Sequence, residues 1–238
     1  MFAPFDYRGV FVEIVVVSDI HGDVENLLAY LDKIKELKFD VVVCPGDFTD
    51  VNTPKGFTQE DIAKLIINEL KTLNAPVLAV PGNVDPKNII ELLEREGVSL
   101  HGCGKIIGDY GFYGYGGAKT PFETNIEPSE EELNMGLLTA YKSIERVKFK
   151  VQITHAPPSG TVLDMIRSGV HVGSDAVRKF IEEHTPVLAI SAHIHEARGI
   201  DKINKTFLIN SGRFPEGYVG LVNIENGIAN GKILNIIE

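Results

Sequence analysis

No stretch of this chain approaches the roughly 20 consecutive apolar residues that a membrane span needs. Its first residues, Met1-Phe2-Ala3-Pro4-Phe5-Asp6-Tyr7-Arg8, also lack the basic region followed by an apolar one that marks a signal peptide. A cytoplasmic protein with no membrane partner is therefore the expectation. Cysteine is scarce, and two residues cannot build a disulfide framework. Cys44, in an apolar run, and Cys103, between two glycines, are expected to be reduced thiols with packing roles. Basic tracts are missing too. With a formal charge of -10 at pH 7, nonspecific nucleic-acid binding is disfavoured, because affinity for a phosphate backbone comes from Lys and Arg. There is no linker, no repeat of solenoid period and no low-complexity segment. The 238 residues, 44% of them hydrophobic, thus read as one domain over residues 1–238 with a sizeable core.

What the chain does have is a series of apolar, strand-like runs, each ending in a short polar signal. Val12 to Val17 leads into Ser18-Asp19-Ile20-His21, Val41 to Cys44 into Pro45-Gly46-Asp47, and Pro76 to Val80 into Gly82-Asn83-Val84-Asp85. Further on, Val151 to Thr154 leads into His155, Pro186 to Ile190 into His193-Ile194-His195, and Thr206 to Ile209 into Asn210-Ser211-Gly212. In open α/β sheets, ligands gather outside the carboxyl ends of the strands. Seven candidate metal ligands, Asp19, His21, Asp47, Asn83, His155, His193 and His195, would then meet on one rim, enough for two ions.

Between the runs, Val24 to Leu37 and Gln59 to Leu73 carry apolar residues at three- and four-residue spacing, the stripe of an amphipathic helix. Pro86 to Glu96 reads as a third helix with Pro in its first turn. This half is βαβαβα, with parallel crossovers. From Val98 to Gly117 seven glycines break the pattern into short segments, which suggests antiparallel strands and the start of a second sheet. Ser129 with Glu132 forms a capping-box signature that opens a helix to about Val147. The chain ends in strand-like segments over Lys205 to Asn210, Tyr218 to Ile224 and Ile228 to Ile236, with Asn226-Gly227 as a hairpin turn. Two sheets face to face, with helices outside both, fit this order.

Singly, each ligand signal has an ordinary reading. Asp-x-His is a solvated strand end, Pro-Gly-Asp and Gly-Asn are turns, and a strand-end His is satisfied by hydrogen bonds. Jointly, seven groups after strands make a mixed nitrogen and oxygen set without thiolate, which suits Mn, Fe, Ni, Co or Zn rather than a structural zinc site. The order Asp-x-His, Gly-Asp-x-x-Asp, Gly-Asn-x-Asp, His, His-x-His from Asp19 to His195 resembles the calcineurin-like metallophosphoesterase superfamily. The resemblance implies an α/β fold, a four-layer αββα sandwich of two mixed β-sheets flanked by helices, with a dinuclear metal site at the strand carboxyl ends. It implies that Asp19, His21 and His195 hold one divalent ion, that Asn83, His155 and His193 hold the other, and that Asp47 bridges them. Asp47, Asn83 and His155 would then also be catalytic, with Asp50 and Asp85 behind them.

The implied activity is hydrolysis of a phosphoric ester by water activated at two ions. Two positions depart from the family pattern, of which Ala192, for the usual Gly before His-x-His, is a small-for-small change. Val84 stands where a His commonly assists the leaving group, and a valine donates no proton. Esters with good leaving groups should suffer least, so a phosphodiesterase is favoured over a phosphomonoesterase or nucleotidase; a non-catalytic scaffold ranks lower because all seven positions hold competent groups. The expected partner is a small phosphorylated substrate, with a homo-oligomer open. His171 and Arg213 are candidate substrate contacts, the latter for its bidentate fit to phosphate. The segments Thr49 to Phe57 and Gly116 to Pro128 are expected at the mouth.

Overall fold

The computed structural model describes residues 11–237; the reading of Met1 to Arg8 lies outside them. The first half runs β1 (Phe11–Val16), α1 (Val24–Lys35), β2 (Val41–Cys44), α2 (Gln59–Lys71), β3 (Val77–Ala79), α3 (Ile89–Arg95), β4 (Cys103–Ile107) and β5 (Tyr110–Tyr115). There follow α4 (Glu130–Ser143), β6 (Phe149–Thr154), α5 (Asp175–His184), β7 (Leu188–Ser191), β8 (Gly199–Ile203), β9 (Thr206–Asn210), β10 (Tyr218–Glu225) and β11 (Ile228–Asn235).

Side-chain alternation in β1 sets the layering. Val12, Ile14 and Val16 join a cluster with Phe112, Val151, Ile153, Leu188 and Ile190 of the other sheet, while Val15 packs in a cluster with Leu27, Leu31 and Ile66. A period of two therefore aims one face at the second sheet and the other at helices. The first sheet has the order β11-β10-β1-β2-β3, and the second β4-β5-β6-β7-β9-β8. β1, β2 and β3 are parallel, as are β5, β6, β7 and β9, so both sheets are mixed. α1, α2 and α3 cover the outer face of the first sheet, α4 and α5 that of the second. The molecule is a four-layer αββα sandwich.

The helix starts follow local chemistry. Thr58 with Asp61, and Ser129 with Glu132, form complete capping boxes, and the Ser174 hydroxyl accepts from the Val177 amide. Some ends differ from the sequence reading. The third helix begins at Ile89 rather than Pro86, because the Ile89 amide bonds the Pro86 carbonyl and closes a separate turn first. The second and fourth helices stop at Lys71 and Ser143, where three-residue turns replace the helical bonds. The reading also missed β8, an edge strand whose Asp201 and Lys202 break any apolar signal. The Asn226-Gly227 hairpin is present, both residues at positive φ.

Phe112 is fully buried between the sheets, whereas Phe122 is 82% exposed. Phe112→Ala is expected to lower unfolding free energy by about 3–5 kcal/mol, and Phe122→Ala by less than about 0.5 kcal/mol. Denaturant titration of both variants checks this, and equal losses would contradict the layer assignment.

Candidate metal centre

Four of the seven candidate ligands sit on left-handed backbone: Asp19 (φ 52°), His21 (51°), Asp47 (51°) and His193 (72°). Non-glycine residues rarely adopt this conformation, and it persists where surroundings over-determine it. Here the surroundings are other rim loops. The Asp19 amide donates to the Gly46 carbonyl (3.2 Å), the His21 amide to the Asp47 carbonyl (2.9 Å), and the Ala192 amide to the His155 carbonyl (3.1 Å). Ser18 Oγ lies 2.8 Å from Ser211 Oγ and donates to the Gly212 carbonyl, tying the end of β1 to that of β9.

The structure brings all seven together. The ligand atoms of Asp19, His21 and His195 lie within 4.8 Å of one another, as do those of Asp19, Asp47 and His155. Asn83 Oδ1 is 2.9 Å from His155 Nε2, and the rings of His155 and His193 are 5.1 Å apart. Asp50 Oδ2 lies 3.8 Å from His21 Nδ1. Asp85 is fully buried and accepts from the amides of Gly82 (2.8 Å), Thr49 (2.9 Å) and Phe48 (3.3 Å), so it braces the loop of Asp47 against the loop of Asn83.

Proton directions test whether a cation fits. His155 Nδ1 lies 2.8 Å from the Pro45 carbonyl, which only accepts, so Nδ1 carries the proton and a neutral ring has its lone pair on Nε2. The Asn83 amide nitrogen donates to Thr124 Oγ1 (3.0 Å), which turns its oxygen inward. His155 Nε2 thus meets Asn83 Oδ1 at 2.9 Å and Asp47 Oδ2 at 3.4 Å. Three lone-pair atoms converge, and only a proton or a cation can sit among them. On the other side, His21 Nε2 and His195 Nε2 face each other at 3.0 Å. Asp19 Oδ2 and His21 Nδ1 are buried with no hydrogen-bond partner among the described residues. Oxygen and imidazole donors in this arrangement fit divalent cations.

Without a cation, protons fill the role. Burial works against charge on His155, but the attraction of Asp47 outweighs it and raises the ring from 6.5 to about 9. Burial also pushes Asp47 up, yet His155 and His21 hold its carboxyl far below the usual range. Burial, then repulsion from His155, lowers His193 to about 4. Burial, then the negative charge of Asp47, raises Asp85 to about 6.

The two candidate substrate contacts part company. Arg213 lines a cavity of about 630 Å³ that also holds His21 and His195. His171 does not line it. Its Nδ1 bonds Asp164 Oδ1 at 2.7 Å, and its neighbours Val172 and Gly173 line a smaller cavity with His193. Sequence reasoning missed Arg167 and Arg198, which share the larger cavity, and Thr124 with Glu127. Glu127 accepts from the amide and hydroxyl of Thr124 (both 2.6 Å) and from the Thr120 hydroxyl (2.7 Å), fixing the hydroxyl that receives Asn83. The only available signal was their place in the Gly116 to Pro128 segment.

A family model described as calcineurin-like phosphoesterase matches residues 12–197. An uncharacterised protein of Methanocaldococcus jannaschii is 34% identical over 215 residues, covering 87% of this chain and 90% of that protein. A solved structure from Thermus thermophilus has a TM-score of 0.69 at 18% identity, covering 94% of this chain and 99% of that one. A dimetal phosphatase from Danio rerio has a TM-score of 0.62 at 12% identity, with 94% and 99% covered. At such identities the two structures show a shared fold.

The raised His155 value stabilises the metal-free fold fully below 6.5, and that stability is lost as pH climbs towards about 9. The loss should be on the order of 3 kcal/mol, counting the His155–Asp47 attraction once. In EDTA, the melting temperature is expected to fall from pH 7 to 9.5, and Asp47→Asn to flatten the slope; an unchanged slope in the variant would refute the pairing. Thr124→Val is expected to weaken divalent-ion affinity about 10-fold by freeing the Asn83 amide, as measured by equilibrium dialysis, with no change if Thr124 is only a loop residue.

Proposed function

The chain belongs to the calcineurin-like phosphoesterase family and is a metallophosphoesterase; on that premise we propose that it hydrolyses small phosphodiesters. The convergence of His155 Nε2, Asn83 Oδ1 and Asp47 Oδ2, with every available proton directed outward, carries this reading. We assign one ion to Asp19, His21 and His195 and the other to Asn83, His155 and His193. Asp47 would serve both, since its Oδ2 lies 3.7 Å from His21 Nε2 and 3.4 Å from His155 Nε2. Two divalent cations in these places would supply the Lewis acidity that polarises a phosphoryl group and acidifies a water molecule. The relative from Danio rerio, a dimetal phosphatase, supports the count of two.

The residues themselves do the rest. Pro45, through His155, and Thr124, through Asn83, keep donor atoms turned inward. Asp85 and the Val84 amide, which donates to Asp47 Oδ1 (3.1 Å), hold that carboxylate in place. Val84, at the position where the resemblance puts an acid, has a half-buried apolar side chain. A positioned acid is worth about 10²–10⁴-fold. Leaving groups that depart as stable anions lose least from its absence, which favours aryl and other activated diesters.

Metal-stripped protein assayed with Mn, Ni, Co, Zn or Mg is expected to cleave bis(p-nitrophenyl) phosphate and to lose that activity in Asp47→Ala. A dialkyl phosphate should be slower by at least about 10². Equal turnover of alkyl and aryl esters would sink the leaving-group argument, and the absence of both bound ions and turnover would sink the hydrolase.

A further inference from the structure

The cavity beside His21 and His195 is walled by three arginines, Arg167, Arg198 and Arg213. Arg198 is built into place: its guanidinium stacks 3.5 Å from the Tyr218 ring centroid and lies 3.9 Å from Glu216. Its stem rests on Gly212, where a Cβ would stand 2.8 Å from Arg198 Cδ. Of the acids lining the same space, Glu216 is thus partnered by Arg198 and Asp50 lies beside His21, while Glu196, like Arg167 and Arg198, is exposed. Among the described residues no carboxylate lies within ion-pair distance of Arg167 or Arg213. Arg213 is half-buried and lines the same cavity as His21 and His195. Arg167 reaches the same space from the loop between β6 and α5. Unpaired guanidinium groups in a concave site are forks for an oxyanion, bidentate where the anion is a phosphate.

We propose that this arginine-walled cavity holds the leaving half of a phosphoanhydride, so that the preferred diester is one whose second substituent is itself a phosphate, as in a nucleoside diphosphate. The proposal rests on the hydrolase reading above and narrows its substrate class. It also answers the loss of an acid at Val84. With one proton held on the terminal phosphate, whose second pKa is about 6, the leaving group is hydrogen phosphate, a weaker base than the phenolate of a phenol with pKa about 10. Water oxygen bonds to the phosphorus that carries the organic group. The bridging P–O bond breaks with its electron pair on the departing hydrogen phosphate, one water proton passes to solvent and the other stays on the oxygen bound to phosphorus. The products are an organic monophosphate and inorganic phosphate. A volume of about 630 Å³ accommodates a phosphate with room for what is attached to it.

Titration calorimetry of the manganese-loaded protein with α,β-methylene ADP and with AMP tests the site without turnover. The methylene diphosphate is expected to bind at least tenfold tighter than AMP. That advantage should disappear in Arg213→Met, shrink in Arg167→Met and survive partly in Arg213→Lys, which keeps the charge but not the fork. Equal affinities for the two ligands, or an advantage untouched by all three substitutions in variants that melt normally, would overturn the proposal. In ¹⁸O water, ADP hydrolysis should place the label in AMP; label in inorganic phosphate would also overturn it. If no ester is hydrolysed with any metal while the arginine-dependent preference remains, the hydrolase reading fails and the anion site stands. If aryl diesters are cleaved but the preference is absent, only the anion site fails.

Discussion

Two backbones touch beneath the centre, and the geometry above depends on that contact. A Cβ on Gly82 would stand 1.9 Å from Asp47 Oδ1, and one on Gly46 would stand 2.5 Å from the Gly82 nitrogen and 2.8 Å from His155 Nδ1. Without side chains at both positions the loops after β2 and β3 can lie against each other and against the first residue after β6. Asp85 then joins the two loops through three amides. Loops from the two sheets, separated elsewhere by a core of Val, Ile, Leu and Phe, meet here through peptide groups. Left-handed φ at Asp19, His21, Asp47 and His193 is local strain that this crowding maintains.

Crowding also explains the electrostatics. Three buried carboxylates, Asp19, Asp47 and Asp85, and four imidazoles crowd together, and each shift described above traces to burial opposed or reinforced by one or two neighbours. The chain as a whole is acidic, yet the arginines Arg167, Arg198 and Arg213 stand around the mouth. Asp50, Glu196 and Glu216 line the same mouth, so the arginines balance the acids there in number, and bound cations would add the positive charge.

Much of this was legible in the sequence because it is encoded locally. Strand ends carry ligands because chain direction is shared by parallel strands, and a Ser or Thr followed by an acid three residues later announces a helix start without reference to the rest of the fold. What escaped depends on distant partners. β8 is a strand because β9 lies beside it, not because Gly199 to Ile203 has strand composition. Thr124 matters through Asn83, 41 residues away, and Arg198 through Tyr218 and Gly212. Arginines reached only by folding a loop over the rim leave no periodic trace, and a proline that starts a turn rather than a helix is told apart only by where its carbonyl bond goes.

The spread of the candidate ligands along the chain has a mechanical meaning. Asp19 and His195 are 4.8 Å or less apart at their ligand atoms, with most of the chain between them. An ion gripping both would act as a cross-link that closes a very long loop, the kind that removes most conformational freedom from an unfolded chain. In a protein whose two thiols, Cys44 and Cys103, are both free, such a clasp would take the place of a disulfide, with one difference. It would open and close with the supply of metal, so that the durability of the fold and its chemical competence would rise and fall together.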